Sequence, residues 1–425
     1  MRILVGTMLA VTLVAVSSFA ADQTSLSVGR VQAVSSVPVE LVARMRPELK
    51  LIDATQWRSE VFPSTTPLPE SLSELPDVVS ALVGFYDNDI PYLCEKGLIE
   101  PLDAVFAELK LDPKEVIPAN IYEAVVWKGK VYALPYRIES YVLRYHKDVM
   151  EKVGVEPVFH NWNEVLIAAE KISTGADPEK QLSGFLAAFM PDEHIACCLL
   201  GWAMDTPAGA GKTFLGLLEE YQTRKVIWPD RYEWGAPEDE VGIRFELFRK
   251  LTLSANVKIL PFPAALMPGS AETIRPVGLM ECFALRKNTK DKAQAVREFI
   301  KLLLTKEAQI ALVEATQLDK RPNPDLAFRH VPVFKHVVDS PEFCQIASTV
   351  PGYRVLLDTC MKARFTPADP ARFEPQRKVL VDRYNELPEL LTRTHSQFLG
   401  FMGLMKPMQI EAQPATPVAR DVSRY

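Results

Sequence analysis

Histidine is scarce in this chain, six in 425 residues, and none stands in an HExxH pattern or at a paired metal-ligand spacing. That excludes the helical zinc-hydrolase motif. There is no GxSxG nucleophile elbow, and no CxxC or Cys/His pair with the spacing of a zinc site. Lysine and arginine form no basic run and the formal net charge is −6, which argues against a nucleic-acid surface. Beyond the first residues, no apolar run approaches the roughly 20 residues needed to span a bilayer. Phe398-Leu-Gly-Phe-Met-Gly-Leu-Met405 is short and broken by Gly400 and Gly403. Ala208-Gly-Ala-Gly211-Lys212-Thr213 looks like the end of a phosphate-binding loop, but Thr206 stands where the first glycine is required. Chance accounts for it. Paired carboxylates such as Asp87 and Glu139 have the chemistry of a glycosidase, yet nothing fixes their separation. The chain does not read as an enzyme, and no cofactor or metal is expected.

What is present points to export. Arg2 precedes an apolar run from Ile3 to Val16, followed by Ser17-Ser-Phe-Ala-Ala21. That run is too short for a membrane span and suits a signal peptide cleaved after Ala20 or Ala21. No cysteine follows the cleavage site, so a lipid anchor is not expected. About 405 residues then remain, enough for two units with separate cores, and loss of Arg2 takes the charge from −6 to −7. A composition of 48% apolar and 24% charged residues is that of an ordinary globular protein. Six cysteines (Cys94, Cys197, Cys198, Cys282, Cys344 and Cys360) allow fifteen full pairings, and the sequence selects none. Cys197 and Cys198 lie in an apolar run that reads as a core helix, so mostly free, buried thiols are expected.

Strands and helices alternate along the chain. Val31–Ser36 reads as a first strand, 38–49 as a helix, and 50–55 as a second strand. Asp77–Gly84 has the continuous β-branched character of a buried parallel strand, and Tyr92–Leu98 reads as the next helix. Asn161 or Asn163 suits the cap of an amphipathic helix ending near Ile172, with Trp162 packed as a staple. Leu182–Phe189, Ile259–Pro263 and Gly278–Leu285 read as strands, and Lys287–Ala308 as one long helix. The most informative run is Gly129-Lys-Val-Tyr-Ala-Leu-Pro-Tyr136-Arg-Ile-Glu139-Ser-Tyr141-Val-Leu-Arg-Tyr145-His-Lys-Asp148. It places a glutamate between two apolar strand segments, where burial costs several kcal/mol unless a partner or ligand meets the charge.

This run resembles the crossover segment of extracellular solute-binding proteins of ABC importers, in particular the maltose-binding-protein-like class (family 1). Pro76-Asp-Val-Val79, Gly97-Leu-Ile-Glu-Pro-Leu-Asp103, Glu307-Ala-Gln309 and Arg321-Pro-Asn-Pro-Asp325 follow in the family's order. The series covers about Val31 to Leu391. It implies an α/β chain with the two-lobed type II periplasmic-binding-protein fold. Each lobe would hold a mainly parallel sheet flanked by helices, with three hinge crossovers near 136–141, 264–278 and 318–324. The expected division is a signal peptide over 1–20, lobe 1 over 21–138 and 276–320, lobe 2 over 139–275 and 321–405, and a disordered tail over 406–425.

The resemblance also suggests where a solute would sit. Sugars are held by aromatic faces and by planar polar groups that hydrogen-bond hydroxyls. Phe85, Tyr86 and Asp87 follow the third strand, with an exposed turn as the plain alternative. Glu139 falls on the motif's glutamate, with Tyr136 and Tyr141 beside it; a hinge salt bridge to Arg137 or Arg144 is the alternative. Glu193 follows the first strand of lobe 2, where a helix N-terminal charge explains it almost as well. Trp234 and Tyr353 complete the candidates, with packing as their alternative role. Between Ala236 and Pro261 the family's strand and tryptophan loop look missing or cut short. The implied function is a periplasmic or extracellular monomer that closes on an uncharged carbohydrate or polyol and hands it to an ABC permease. Ferric iron is a lesser possibility, raised by the tyrosines at 132, 136, 141 and 145. A degenerate, non-transport scaffold or sensor partner is the alternative function.

Overall fold

The structure is a computed structural model that describes residues 25–29, 36–54, 69–84, 88–175, 183–186, 202, 205, 241–247, 256–269, 273–314, 331–349 and 352–384. The expected leader, the Cys197–Cys198 helix, the Ala208–Thr213 loop, the third crossover and the tail lie outside these residues.

In chain order the first elements are β1 (Ser25–Gly29), α1 (Ser36–Met45), β2 (Lys50–Ala54), β3 (Val78–Val83), α2 (Asp89–Glu95) and β4 (Ile99–Glu100). Next come α3 (Asp103–Glu108), α4 (Pro113–Val116), α5 (Ala119–Val125), β5 (Val126–Trp127), β6 (Lys130–Val131) and β7 (Ala133–His146). They are followed by α6 (Lys147–Lys152), α7 (Trp162–Gly175), β8 (Ser183–Leu186), β9 (Val241–Leu247), β10 (Val257–Leu260) and β11 (Gly278–Arg286). The described chain ends with α8 (Ala293–Leu303), α9 (Lys306–Glu314), α10 (Lys335–Val338), α11 (Pro341–Thr349), α12 (Tyr353–Lys362) and α13 (Pro370–Tyr384).

Of the expected first strand at 31–36 only Ser36 lies within the described residues, and it opens α1. A strand is present earlier, in β1, where Leu26 and Val28 alternate inward and are fully buried. The expected helix at 287–308 is corrected, because it divides into α8 and α9. Asn288 adopts positive φ in the turn before it, and the Thr305 hydroxyl accepts from Ala308 N at 3.2 Å to start a new helix. The α7 start follows its expected cap. Asn161 Oδ1 accepts from Glu164 N at 3.0 Å while Glu164 Oε2 accepts from His160 N at 2.7 Å.

The main sheet runs β2-β1-β3-β11-β7-β9-β8, with β4 added to β11 and β10 added to β7. Pairing is parallel across β2–β1–β3 and between β8 and β9, and antiparallel where β11, β7 and β10 join. Strand β7 belongs to both halves of this sheet. Residues 133–140 pair with β11, whereas residues 141–145 pair with β9 and residues 143–146 with β10. The lead-in hairpin β5–β6 turns through Lys128 and Gly129, both at positive φ, as a two-residue primed turn requires.

The interval that looked short of a strand supplies one. Val241–Leu247 forms β9 alongside β7, and Ile243 and Phe245 point into the core. The second half is centred on aromatic packing: Trp162 lies 4.5 Å from Trp202, 5.0 Å from Phe245 and 5.7 Å from Phe262, centroid to centroid. The first half holds the larger core, in which α8, α9 and α10 join β1, β3, β7 and β11. Helix α10 packs on α9 and α4, and His336 Nε2 lies 3.0 Å from Leu304 O. The segment expected to belong to lobe 2 from residue 321 onward therefore includes residues packed on the first half.

Candidate functional site

The central feature is the place where β7 leaves one half and enters the other. A β-bulge sits just before it: Arg137 pairs with Glu281 and Pro135 with Cys282, leaving Tyr136 as the extra residue. The bulge also explains how a proline sits inside this strand. It lets Tyr136 and Arg137 both address the partner strand at Glu281. The Tyr136 hydroxyl donates to Glu281 Oε2, and its ring stacks on Phe283 at 4.0 Å with an 11° interplanar angle. Arg137 Nη2 donates to Glu139 Oε1, and Arg137 Nη1 lies 3.9 Å from Glu281 Oε1. Arg137, Glu139 and Glu281 are 6%, 4% and 4% exposed, so this is a charge network inside the protein. Such burial is sustained only by mutual pairing.

Around the crossover, residues 363–368 form a strap. Arg364 N donates to Pro276 O at 2.7 Å, and Gly278 N donates to Arg364 O at 3.2 Å. Two residues on, Thr366 N donates to Gly84 O at 2.7 Å and Thr366 O accepts from Asn88 Nδ2 at 2.8 Å. Ala368 N then bonds Glu123 O at 3.0 Å. The Arg364 side chain pairs with Asp205, close in sequence to the core residue Trp202 of the second half.

The candidate residues separate as follows. Tyr136, Glu139 and Tyr141 come together on β7; all three are buried, and Tyr141 packs at 5.5 Å against Phe245. Glu139 thus has the Arg137 partner that the sequence offered as its alternative. Tyr353 opens α12, fully buried and 5.8 Å from Phe343. Helix α12 packs on β7 and β10, and burial together with the Glu139 charge pushes the Cys360 thiol up. Phe85, Tyr86 and Asp87, Glu193, and Trp234 lie outside the described residues. Both ends of the first of these loops, Gly84 and Asn88, are held by Thr366. Glu281, Asp205, Arg275, Arg364 and Thr366 escaped the sequence reading. Only Glu281 carries a local signal: like Glu139, it is a lone carboxylate in an apolar strand.

A family model described as bacterial extracellular solute-binding protein matches residues 72–238. The ABC substrate-binding protein Lmo0181 from Listeria monocytogenes, solved with cycloalternan, superposes with a TM-score of 0.59 at 14% identity, covering 90% of this chain and 100% of that one. The chain has the fold of an extracellular solute-binding protein. The sugar-binding protein MalE from Xanthomonas citri gives a TM-score of 0.59 at 14% identity, covering 89% of this chain and 93% of its own. UgpB from Mycobacterium tuberculosis, solved with glycerophosphocholine, gives 0.60 at 15% identity over 90% and 98%. Identities this low carry the solute-binding fold, in which β7 is a strand linking the two halves, and leave the ligand open.

Proposed function

We propose that this chain is the exported receptor of an ABC importer, closing on a small solute rich in hydroxyls, a carbohydrate or polyol, and presenting it to a permease. The observation that carries this reading is the β7 crossover, where Tyr136, Arg137, Glu139 and Glu281 form a buried polar and aromatic network just before the strand passes into the second half. A neighbour named as a sugar-binding protein and another solved with cycloalternan support the solute class. In this reading the halves are lobes with the bounds expected above, except that 331–338 joins lobe 1, and contacts from both stabilise a closed state. Phe85, Tyr86, Asp87, Glu193 and Trp234 are the further contacts to test. The experiment is a thermal-shift screen of the mature protein against sugars, polyols, amino acids, polyamines and Fe(III). A solute at 100 times its dissociation constant adds about 2.7 kcal/mol of stability, enough to raise the midpoint by a few degrees. A hit weakened by Tyr136→Phe or Glu139→Gln supports the crossover as the site. A hit indifferent to both moves the site elsewhere, and no hit across the panel overturns the receptor reading in favour of a non-transport role.

A further inference from the structure

Asp205 is oversubscribed. Its Oδ1 accepts from Arg275 Nε at 3.3 Å, from Arg275 Nη2 at 3.1 Å and from Arg364 Nη2, and its Oδ2 accepts from Arg275 N at 3.0 Å. Among the described residues one carboxylate therefore serves two guanidinium groups, and this trio carries a net positive charge. The two arginines differ in access: the Arg275 side chain is 45% exposed, whereas that of Arg364 is 6% exposed. Among the described residues, Arg364 Nε is buried without a hydrogen-bond partner. Burial pulls the Arg364 pKa down to about 10; Asp205 opposes that fall and the neighbouring Arg275 charge adds to it. Each guanidinium offers five N–H donors in a fixed fork, and a buried donor left unmet is costly. The cluster sits at the crossover, since Arg364 also bonds Pro276 and Gly278 and its strap reaches Gly84 two residues later.

We infer that Arg275 and Arg364 form an anion-reading pair, and that the solute carries an acidic oxyanion group, a carboxylate or a phosphate, beside its hydroxyls. This rests on the receptor reading above and narrows its solute class. It also departs from the uncharged solute that the sequence suggested. Asp205 holds the two forks in place without solute, and the solute's oxyanion supplies the acceptors that Asp205 alone cannot. Arg364 supplies the buried, unmet Nε donor and Arg275 the exposed approach, and guanidinium forks suit planar oxyanions.

The test is calorimetric titration of the full mature chain with inorganic phosphate, D-glucuronate and glycerol 3-phosphate, with D-glucose and maltose as neutral probes. At least one anionic probe is expected to bind, with affinity falling about tenfold or more in Arg275→Gln. Arg275 is exposed enough for that variant to fold even where Arg364→Gln does not. Asp205→Asn removes the competing carboxylate and is expected to tighten the anionic probe, a change that a purely structural role would not produce. Failure of every anionic probe, or anion binding unchanged in Arg275→Gln, overturns the inference. If neutral sugars bind while the anions fail, the receptor reading stands without it; if nothing binds, both fall.

Discussion

Asp77 shows how much a single side chain ties together. Its Oδ2 accepts from Ser27 N and Ser27 Oγ, both at 2.9 Å, and from Lys292 Nζ at 2.8 Å, while Oδ1 accepts from Arg286 Nη2 at 2.6 Å. Burial pushes its pKa up, but Lys292, Ser27 and Arg286 outweigh that and bring it from 3.8 down to about 2. A depressed carboxylate stabilises the fold fully above its ordinary value and loses that contribution as pH falls through the folded one. Here the contribution is about 2 kcal/mol at neutral pH. Urea midpoints measured from about pH 5 down to about pH 2 are expected to fall in wild type, and the Asp77 share of that fall vanishes in Asp77→Asn. Glu139 behaves differently because its partner is also buried. Glu139→Ala leaves the Arg137 charge inside the protein and is expected to cost about 3–5 kcal/mol, read as a lowered urea midpoint. Glu139→Gln keeps a hydrogen-bond acceptor and should cost less. The sequence revealed Glu139 because an isolated charge in an apolar strand is conspicuous. It was silent on Asp205 and Arg364, which lie 159 positions apart and meet only through the fold.

At the scale of elements, α7 was readable because its capping box and its amphipathic face are local. Its role as the centre of the second half was not, since Trp202, Phe245 and Phe262 come from distant segments. Trp162→Ala is expected to destabilise that half by about 3–5 kcal/mol, followed by tryptophan fluorescence during denaturant unfolding. Strand β11 begins at a glycine for a steric reason. A Cβ on Gly278 would stand 2.6 Å from Phe365 Cζ and 2.8 Å from the Ala363 Cβ. Gly278→Ala therefore forces the strap away from the crossover, with an expected cost of about 1–3 kcal/mol in thermal or denaturant unfolding. The split of the expected 287–308 helix has an equally local cause, the Thr305 hydroxyl, which competes with helix continuation.

The whole molecule is organised by one continuous strand. Because β7 pairs with β11 through residue 140 and with β9 and β10 beyond it, bending at the crossover moves one half against the other without breaking either hydrogen-bonded ladder. Solute binding is expected to lower the radius of gyration in solution scattering while the far-ultraviolet circular dichroism stays constant. An unchanged radius at saturating solute would argue against closure. The four described cysteines are free, and Cys94, Cys282 and Cys360 are buried. Burial raises the pKa of all three buried thiols.

The sequence by itself determined the alternation of strands and helices, the α7 cap, the crossover run around Glu139 and the order of motifs that marks the fold. Each is written in neighbouring residues, through periodicity, capping chemistry or an out-of-place charge. Tertiary structure alone decided that Ser25–Gly29 is a strand between β2 and β3 and that Val241–Leu247 is a strand beside β7. It alone brought Tyr136 to Glu281 across a bulge, and two arginines from separate segments onto Asp205. Strand pairing and ion-pair partners are contacts between remote residues, and their energies depend on burial that no local window of sequence contains.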